Sequence, residues 1–160
     1  MISIIMGSQS DLDTLKEAIN LLKEFKVGFE VKVLSAHRSP KELTKYVEEA
    51  PKRGTKIFIA AAGGAAALSG VIAAHTTRPV IGIPIETKSL KGLDSLLSTV
   101  QMPAGVPVAC MSIGKSGGKN AAIFALEILG ITDKKINSKL NAHKNKMRLK
   151  IKNAKIKLWA

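Results

Sequence analysis

The residues able to do chemistry fall into short Gly- and Ser-rich segments. Gly7-Ser8-Gln9-Ser10-Asp11 offers two hydroxyls and a carboxylate behind a glycine. Ser35-Ala36-His37-Arg38-Ser39-Pro40 adds an imidazole, a guanidinium and two more hydroxyls. The others are Ala62-Gly63-Gly64-Ala65-Ala66, Pro84-Ile85-Glu86-Thr87 and Gly114-Lys115-Ser116-Gly117-Gly118. The first segment opens a helical pattern, and the N–H groups and dipole at a helix start favour an anion. The simpler alternative is that Ser10 or Asp11 just caps that helix. Ser35 and Arg38 add a hydroxyl and a fork that grips phosphate bidentately. Asp11 would repel a phosphate and suits a sugar hydroxyl. His37 is the candidate proton carrier, because imidazole titrates near neutral pH. A histidine that merely caps a strand end is the competing reading. His75 and His143 read as structural or solvated.

Other chemistries lack their residues. A single cysteine, Cys110, with scattered histidines has no metal-ligand spacing, so no metal is expected. There is no GxGxxG fingerprint, and Gly114-Lys115-Ser116 lacks the upstream glycine of a Walker sequence. A phosphoacceptor receiver domain needs an aspartate closing the third strand, where Ala61-Ala62-Gly63 stands.

The elements that must position these segments alternate strand and helix. Ile2–Met6 is an apolar, β-branched run, followed by Leu12, Leu15, Ile19, Leu22 and Phe25 at helical spacing. Phe29–Leu34 alternates as a second strand, and Pro40 opens a second helix that ends at Gly54. Ile57–Ala61 is a third strand, followed by an Ala-rich helix to about Thr76. Pro79–Ile83 is a fourth strand, Leu93–Val100 a short helix, Val106–Ile113 a fifth strand and Asn120–Leu129 another helix. Such alternation implies right-handed crossovers and a parallel sheet with both faces covered. Five units fit a flavodoxin-like three-layer sandwich and not a closed eight-stranded barrel. The chemistry-bearing segments then sit at the carboxyl ends of the strands, where open sheets bind ligands.

The 160 residues are enough for one domain, with 46% hydrophobic and 23% charged residues. We divide them into a catalytic domain over 1–130 and a basic C-terminal helix over 131–160. The net charge of +13 is concentrated in that tail, which holds ten Lys/Arg against the single acid Asp133. A sparse apolar stripe (Ile136, Leu140, Met147, Ile151, Leu158) suits packing on a neighbouring subunit or across the domain surface. With only Trp159 available for stacking, the tail reads as a solvated basic face, not a nucleic-acid surface. No apolar run reaches the roughly 20 residues that span a bilayer, and the N-terminus does not read as a signal peptide. A soluble, cytoplasmic protein is expected.

Four strings, in order over about residues 2–130, closely resemble the 5-(carboxyamino)imidazole ribonucleotide mutases of purine biosynthesis. They are Met6–Asp11, Ser35–Pro40, Ala62–Ala66 and Gly92-Leu93-Asp94-Ser95-Leu96-Leu97-Ser98-Thr99-Val100-Gln101-Met102-Pro103. The resemblance implies a flavodoxin-like subunit in an octamer, each active site lying at a subunit junction, without metal or cofactor. It implies that Ser10, Ser35 and Arg38 hold the phosphate of an aminoimidazole ribotide, with Ser8 at the substrate and Asp11 on the ribose. Backbone around Gly63, Gly64 and Ala65 would line the migrating carboxylate, and His37 would be the general acid/base.

One departure matters. Bacterial mutases usually read Gly-Gly-Ala-Ala-His-Leu-Pro-Gly, and Ala67 stands here in place of that second histidine. Leu68-Ser69-Gly70 instead resembles the loop ending of the direct aminoimidazole ribonucleotide carboxylases. Those enzymes tend to carry lysine after Ser-Ala-His and a Gly-Arg-Ser-Asn string before the loop ending. Arg38 and Gly63–Ala66 side with the mutases. The mutase is the first expectation; a carboxylase or a noncatalytic ribotide binder is the alternative.

Overall fold

The computed structural model describes residues 1–154, so Leu158 of the expected tail stripe and the tail aromatic Trp159 lie outside the described residues. Strands β1 (Ile2–Met6), β2 (Phe29–Val33), β3 (Ile57–Ala62), β4 (Val80–Pro84) and β5 (Ala109–Cys110) are all parallel. Between and after them run α1 (Leu12–Phe25), α2 (Pro40–Glu49), α3 (Leu68–Ala74), α4 (Leu93–Val100), α5 (Lys115–Gly130) and α6 (Lys134–Lys152). The strand order β2-β1-β3-β4-β5 is flavodoxin-like, with the direction of winding reversing between β1 and β3.

The central strands are buried because helices cover both sides. On one face Ile5, Phe58, Ala60 and Val80 pack with Leu43 and Val47 of α2 and Leu68 and Ile72 of α3. Burying a side chain such as Phe58 in this layer contributes about 1.5–3 kcal/mol. Gly82 opens the same face to α4: a Cβ there would lie 2.5 Å from Thr99 Cγ2. On the other face the start of α5 meets Ile83 at Gly117 and the α1 backbone at Gly118.

Four expectations need correcting. The fifth strand, read as Val106–Ile113, pairs as a strand only over Ala109–Cys110. Pro107 has no N–H to give the ladder, and the Val106 N–H is spent on Pro103 in a turn. Helix α5 begins at Lys115, not Asn120, because Gly117 and Gly118 serve close packing inside the helix and are not loop residues. Helix α3 stops at Ala74, with His75 as its cap. Strand β2 lies at the sheet edge and is not a doubly buried run, leaving Val33 53% exposed.

The described chain forms two compact units, Met1–Ala125 and a second from Leu126 onward. In the second, Asp133 caps α6 by accepting the N–H groups of Lys135 (2.9 Å) and Ile136 (3.1 Å). Leu140 is buried, whereas Met147 and Ile151 are 46% and 77% exposed. No helix among the described residues is long and apolar enough to cross a membrane.

Candidate active site

A cleft of about 390 Å³ opens at the carboxyl end of the sheet, where the winding reverses. Three loops line it: Gly7, Ser8 and Asp11 after β1, Ser35–Arg38 after β2, and Ala62, Gly63 and Ala66–Leu68 after β3. The other two segments at strand ends, Pro84–Thr87 and Gly114–Gly118, do not line it.

The first loop is a capping box. The Ser8 side chain accepts the Ser10 N–H (3.4 Å), and Asp11 Oδ2 accepts the Ser8 N–H (3.1 Å). Ser8 therefore caps the short 3-10 turn Gln9–Asp11, while Asp11 holds the cap position of α1 and makes no side-chain cap bond there. Asp11 is 8% exposed, and burial pushes its carboxyl above the usual value. The Ser8 N–H, the Ser10 hydroxyl and the Arg38 charge offset only part of that. Ser10 is exposed and turns its hydroxyl to Ser8 Oγ (2.9 Å) and Asp11 Oδ1 (3.3 Å), outside the cleft lining.

The second loop is tied to itself and to the first. Ser39 Oγ accepts the Ser35 N–H (2.9 Å) and donates to the Ser35 carbonyl (3.2 Å), which fixes the turn before Pro40 starts α2. Arg38 donates from Nη2 to the Gly7 carbonyl (2.8 Å) and from Nε to Ser35 Oγ (3.4 Å). Its remaining guanidinium N–H groups have no protein partner among the described residues, so a cation with spare donors stands at the cleft. His37 beside it is exposed, and its imidazole makes no hydrogen bond among the described residues.

The third loop supplies a wall of small residues. Gly64 has φ +67° and Ala66, 3% exposed, has φ +33°. The Gly64 N–H is taken by the Ser95 hydroxyl (2.9 Å), so it is not a free donor for a ligand. Neither Gly64 nor Ala65 lines the cleft; Gly63 does. Ala67 lines it too, with a methyl group where a second imidazole would have stood. Ser95, which the motif reading gave no role, lies in α4, and its hydroxyl is buried against loop backbone. Its one visible signal was its place in the Gly92–Pro103 string. Among the described residues, no group of three or more His, Cys, Asp or Glu is placed to hold a metal ion.

The arrangement can bind an anion through Arg38, Ser35 and Ser8, accept a hydroxyl at Asp11, and move a proton at His37. The family model described as AIR carboxylase matches residues 1–150. The chain belongs to the AIR carboxylase family. A curated N5-carboxyaminoimidazole ribonucleotide mutase from Pyrococcus abyssi is 54% identical over 147 residues, covering 92% of this chain and 83% of the relative. One of the same name from Bacillus subtilis is 53% identical, covering 88% of this chain and 87% of the relative. The crystal structure of Treponema denticola PurE superposes with a TM-score of 0.85 at 27% identity, covering 94% and 92% of the two chains. Family membership and the flavodoxin-like fold both agree with the motif resemblance.

Proposed function

We propose that this chain acts in purine biosynthesis as a 5-(carboxyamino)imidazole ribonucleotide mutase. The observation that carries the reading is that His37 and Arg38 reach one cleft together with Ser8, Asp11 and Ser35. Relatives sharing about half of its residues bear the mutase name. In this reading Arg38 and Ser35 hold the ribotide phosphate, with Ser10 behind them. Ser8 meets the substrate, and Asp11 accepts a ribose hydroxyl. A buried carboxyl lacking enough partners gains most from such a donor.

The chemistry balances without an oxidant or an external proton. The exocyclic N–carboxyl bond breaks, its electrons return to nitrogen, and carbon dioxide is left beside an electron-rich ring. C4 attacks the carbon dioxide, and the C4 proton is removed to restore the aromatic ring. Nitrogen ends with one proton more and C4 with one fewer, so one acid/base group suffices, and His37 is that group. The Gly63–Ala67 wall keeps carbon dioxide near C4, converting a bimolecular recapture into an effectively unimolecular one.

A second reading rests on Ala67. Without a second imidazole at the wall, the enzyme would be a carboxylase that takes free carbon dioxide and aminoimidazole ribotide. Assays with each ribotide in buffer stripped of carbon dioxide separate the two. The mutase reading expects C4-carboxylated product from the carboxyamino ribotide alone. Product formed only from the free amine after bicarbonate is added would favour the carboxylase.

Self-association belongs to the same reading. Leu90, Leu93, Leu97 and Val100 recur at helical spacing and are 57%, 50%, 50% and 48% exposed. A second copy of the chain would cover such a stripe, and Met147 and Ile151 on α6 would gain cover from a neighbour in the same way. The proposed octamer is tested by sedimentation of the full chain.

A further inference from the structure

We propose that Ser95 is a positioning residue for the loop that places Gly63 and Ala66 in the wall of the cleft, held through Gly64. This inference rests on the mutase reading. Ser95 does not line the cleft; it lies behind the wall, fully buried, with its hydroxyl committed in both directions. It accepts the Gly64 N–H at 2.9 Å and donates to the Ile85 carbonyl at 2.7 Å. Ser98, one turn further along α4, donates to the Gly64 carbonyl at 3.4 Å. Gly64 is therefore held through both its N–H and its C=O from a helix that begins 29 residues later.

The surrounding backbone is built to bring α4 this close. Gly92 has φ +90°, and a Cβ there would lie 2.6 Å from Ile113 Cγ2 and 3.2 Å from Glu86 Cα. Thr87 secures the entry to the helix: its hydroxyl accepts the Gly92 N–H (3.2 Å) and donates to Asp94 Oδ1 (2.8 Å). Thr99 donates to the Ser95 carbonyl (2.8 Å), fixing the same turn from below.

The wall requires such a hold. Ala66 occupies the left-handed region that a side chain disfavours, and the hydrogen bond from its N–H to Gly63 is long at 3.3 Å. Freed from α4, the loop can relax away from the cleft. Under the mutase reading, a relaxed wall lets carbon dioxide escape between its loss from nitrogen and its capture at C4. The N–carboxyl bond breaks, a proton settles on nitrogen, and free aminoimidazole ribotide leaves as a by-product.

The test is the partition of carboxyamino ribotide between C4-carboxylated product and free aminoimidazole ribotide, above the enzyme-free decomposition, in wild type and Ser95→Ala side by side. We expect Ser95→Ala to lower the ratio of product to by-product roughly 10- to 100-fold, the scale of a small misplacement in a positioned site. KM should change little, because the phosphate contacts are untouched. A purely structural role would lower the amount of folded enzyme without moving this ratio. Wild-type partition in folded Ser95→Ala overturns the inference. If Ser95→Ala does not fold, Ser98→Ala at an exposed position loosens the same residue and decides on the same ratio: by-product formation supports the clamp, and a wild-type ratio overturns it. Wild type that makes no C4-carboxylated product means the mutase reading itself has failed.

Discussion

The two ends of the sheet carry nearly the same polar residues and use them in opposite ways. Toward the amino end, the Ser3 and Thr55 hydroxyls meet at 2.7 Å in the interior, and Glu30 accepts from Ser3 (3.0 Å) and Arg53 (3.3 Å). Arg53 also stacks over the Tyr46 ring, 5.0 Å from its centroid. At the carboxyl end, Arg38 keeps donors to spare, His37 has no hydrogen-bond partner among the described residues, and Asp11 is buried with too few donors. The two carboxyls record the difference. Burial wins at Asp11 and holds its pKa above the usual value. At Glu30 burial raises the pKa too, but the hydrogen bonds and the Arg53 charge outweigh it, and the net shift is downward. A polar cluster whose carboxylate and hydroxyls are met from within, as those of Glu30, Ser3 and Thr55 are, supports the fold. One left with surplus donors and an unrelieved carboxyl is prepared for a ligand.

Mutations at the two ends should therefore separate activity from stability. The largest effect falls on His37→Asn: turnover drops by on the order of 100- to 10,000-fold while substrate binding and melting temperature stay near wild type. Steady-state kinetics beside calorimetric binding checks this, and near-normal turnover rules out His37 as the proton carrier. Next comes Arg38→Ala, expected to weaken ribotide binding about 10- to 100-fold through loss of a charge-assisted phosphate contact. Unchanged affinity would remove Arg38 from the phosphate site. At the amino end Ser3→Ala should leave kcat intact and cost about 1–3 kcal/mol in urea unfolding, because the buried Thr55 hydroxyl loses its partner. Loss of activity in folded Ser3→Ala would erase the contrast between the ends.

The smallest effects are in pH dependence, and they have opposite signs. Glu30 contributes stability that is fully present above its ordinary value of 4.5 and is lost as pH falls through its lowered folded value. Wild type should therefore lose its advantage over Glu30→Gln on acidification. Asp11 imposes a cost absent below its ordinary value of 3.8, which sets in as pH rises toward its raised folded value. Asp11→Asn should gain on wild type over that rise. Urea unfolding across the acid range checks both, and parallel behaviour of the two variants would contradict the contrast.

The fold was legible where packing is local and repetitive. The apolar runs of β1, β3 and β4 report burial on both faces, and the helical spacing of Leu15, Leu22 and Phe25 reports the buried face of α1. It was illegible where one backbone meets another. Gly117 and Gly118 look like loop residues until the strand-exit loop and α1 backbone against them are seen. The same division holds at the site. Ser8, Asp11, Ser35, His37, Arg38 and Gly63 converge because strand ends of a parallel sheet converge. Ser10 and Gly64 lie in the same loops but are engaged by neighbouring groups, and Ala65 stays outside the cleft lining. Ser95 acts through backbone atoms of Gly64 and Ile85, and a sequence does not display which carbonyl or N–H a hydroxyl will find.

The claim that unites these observations is that the cleft keeps the carbon dioxide it releases. Its most direct test is turnover of carboxyamino ribotide by wild-type protein in isotopically labelled bicarbonate. The C4-carboxylated product should retain the substrate's own unlabelled carboxyl carbon, despite Ala67. Product carrying the label of the medium would contradict it, and would make this cleft one that takes carbon dioxide from solution.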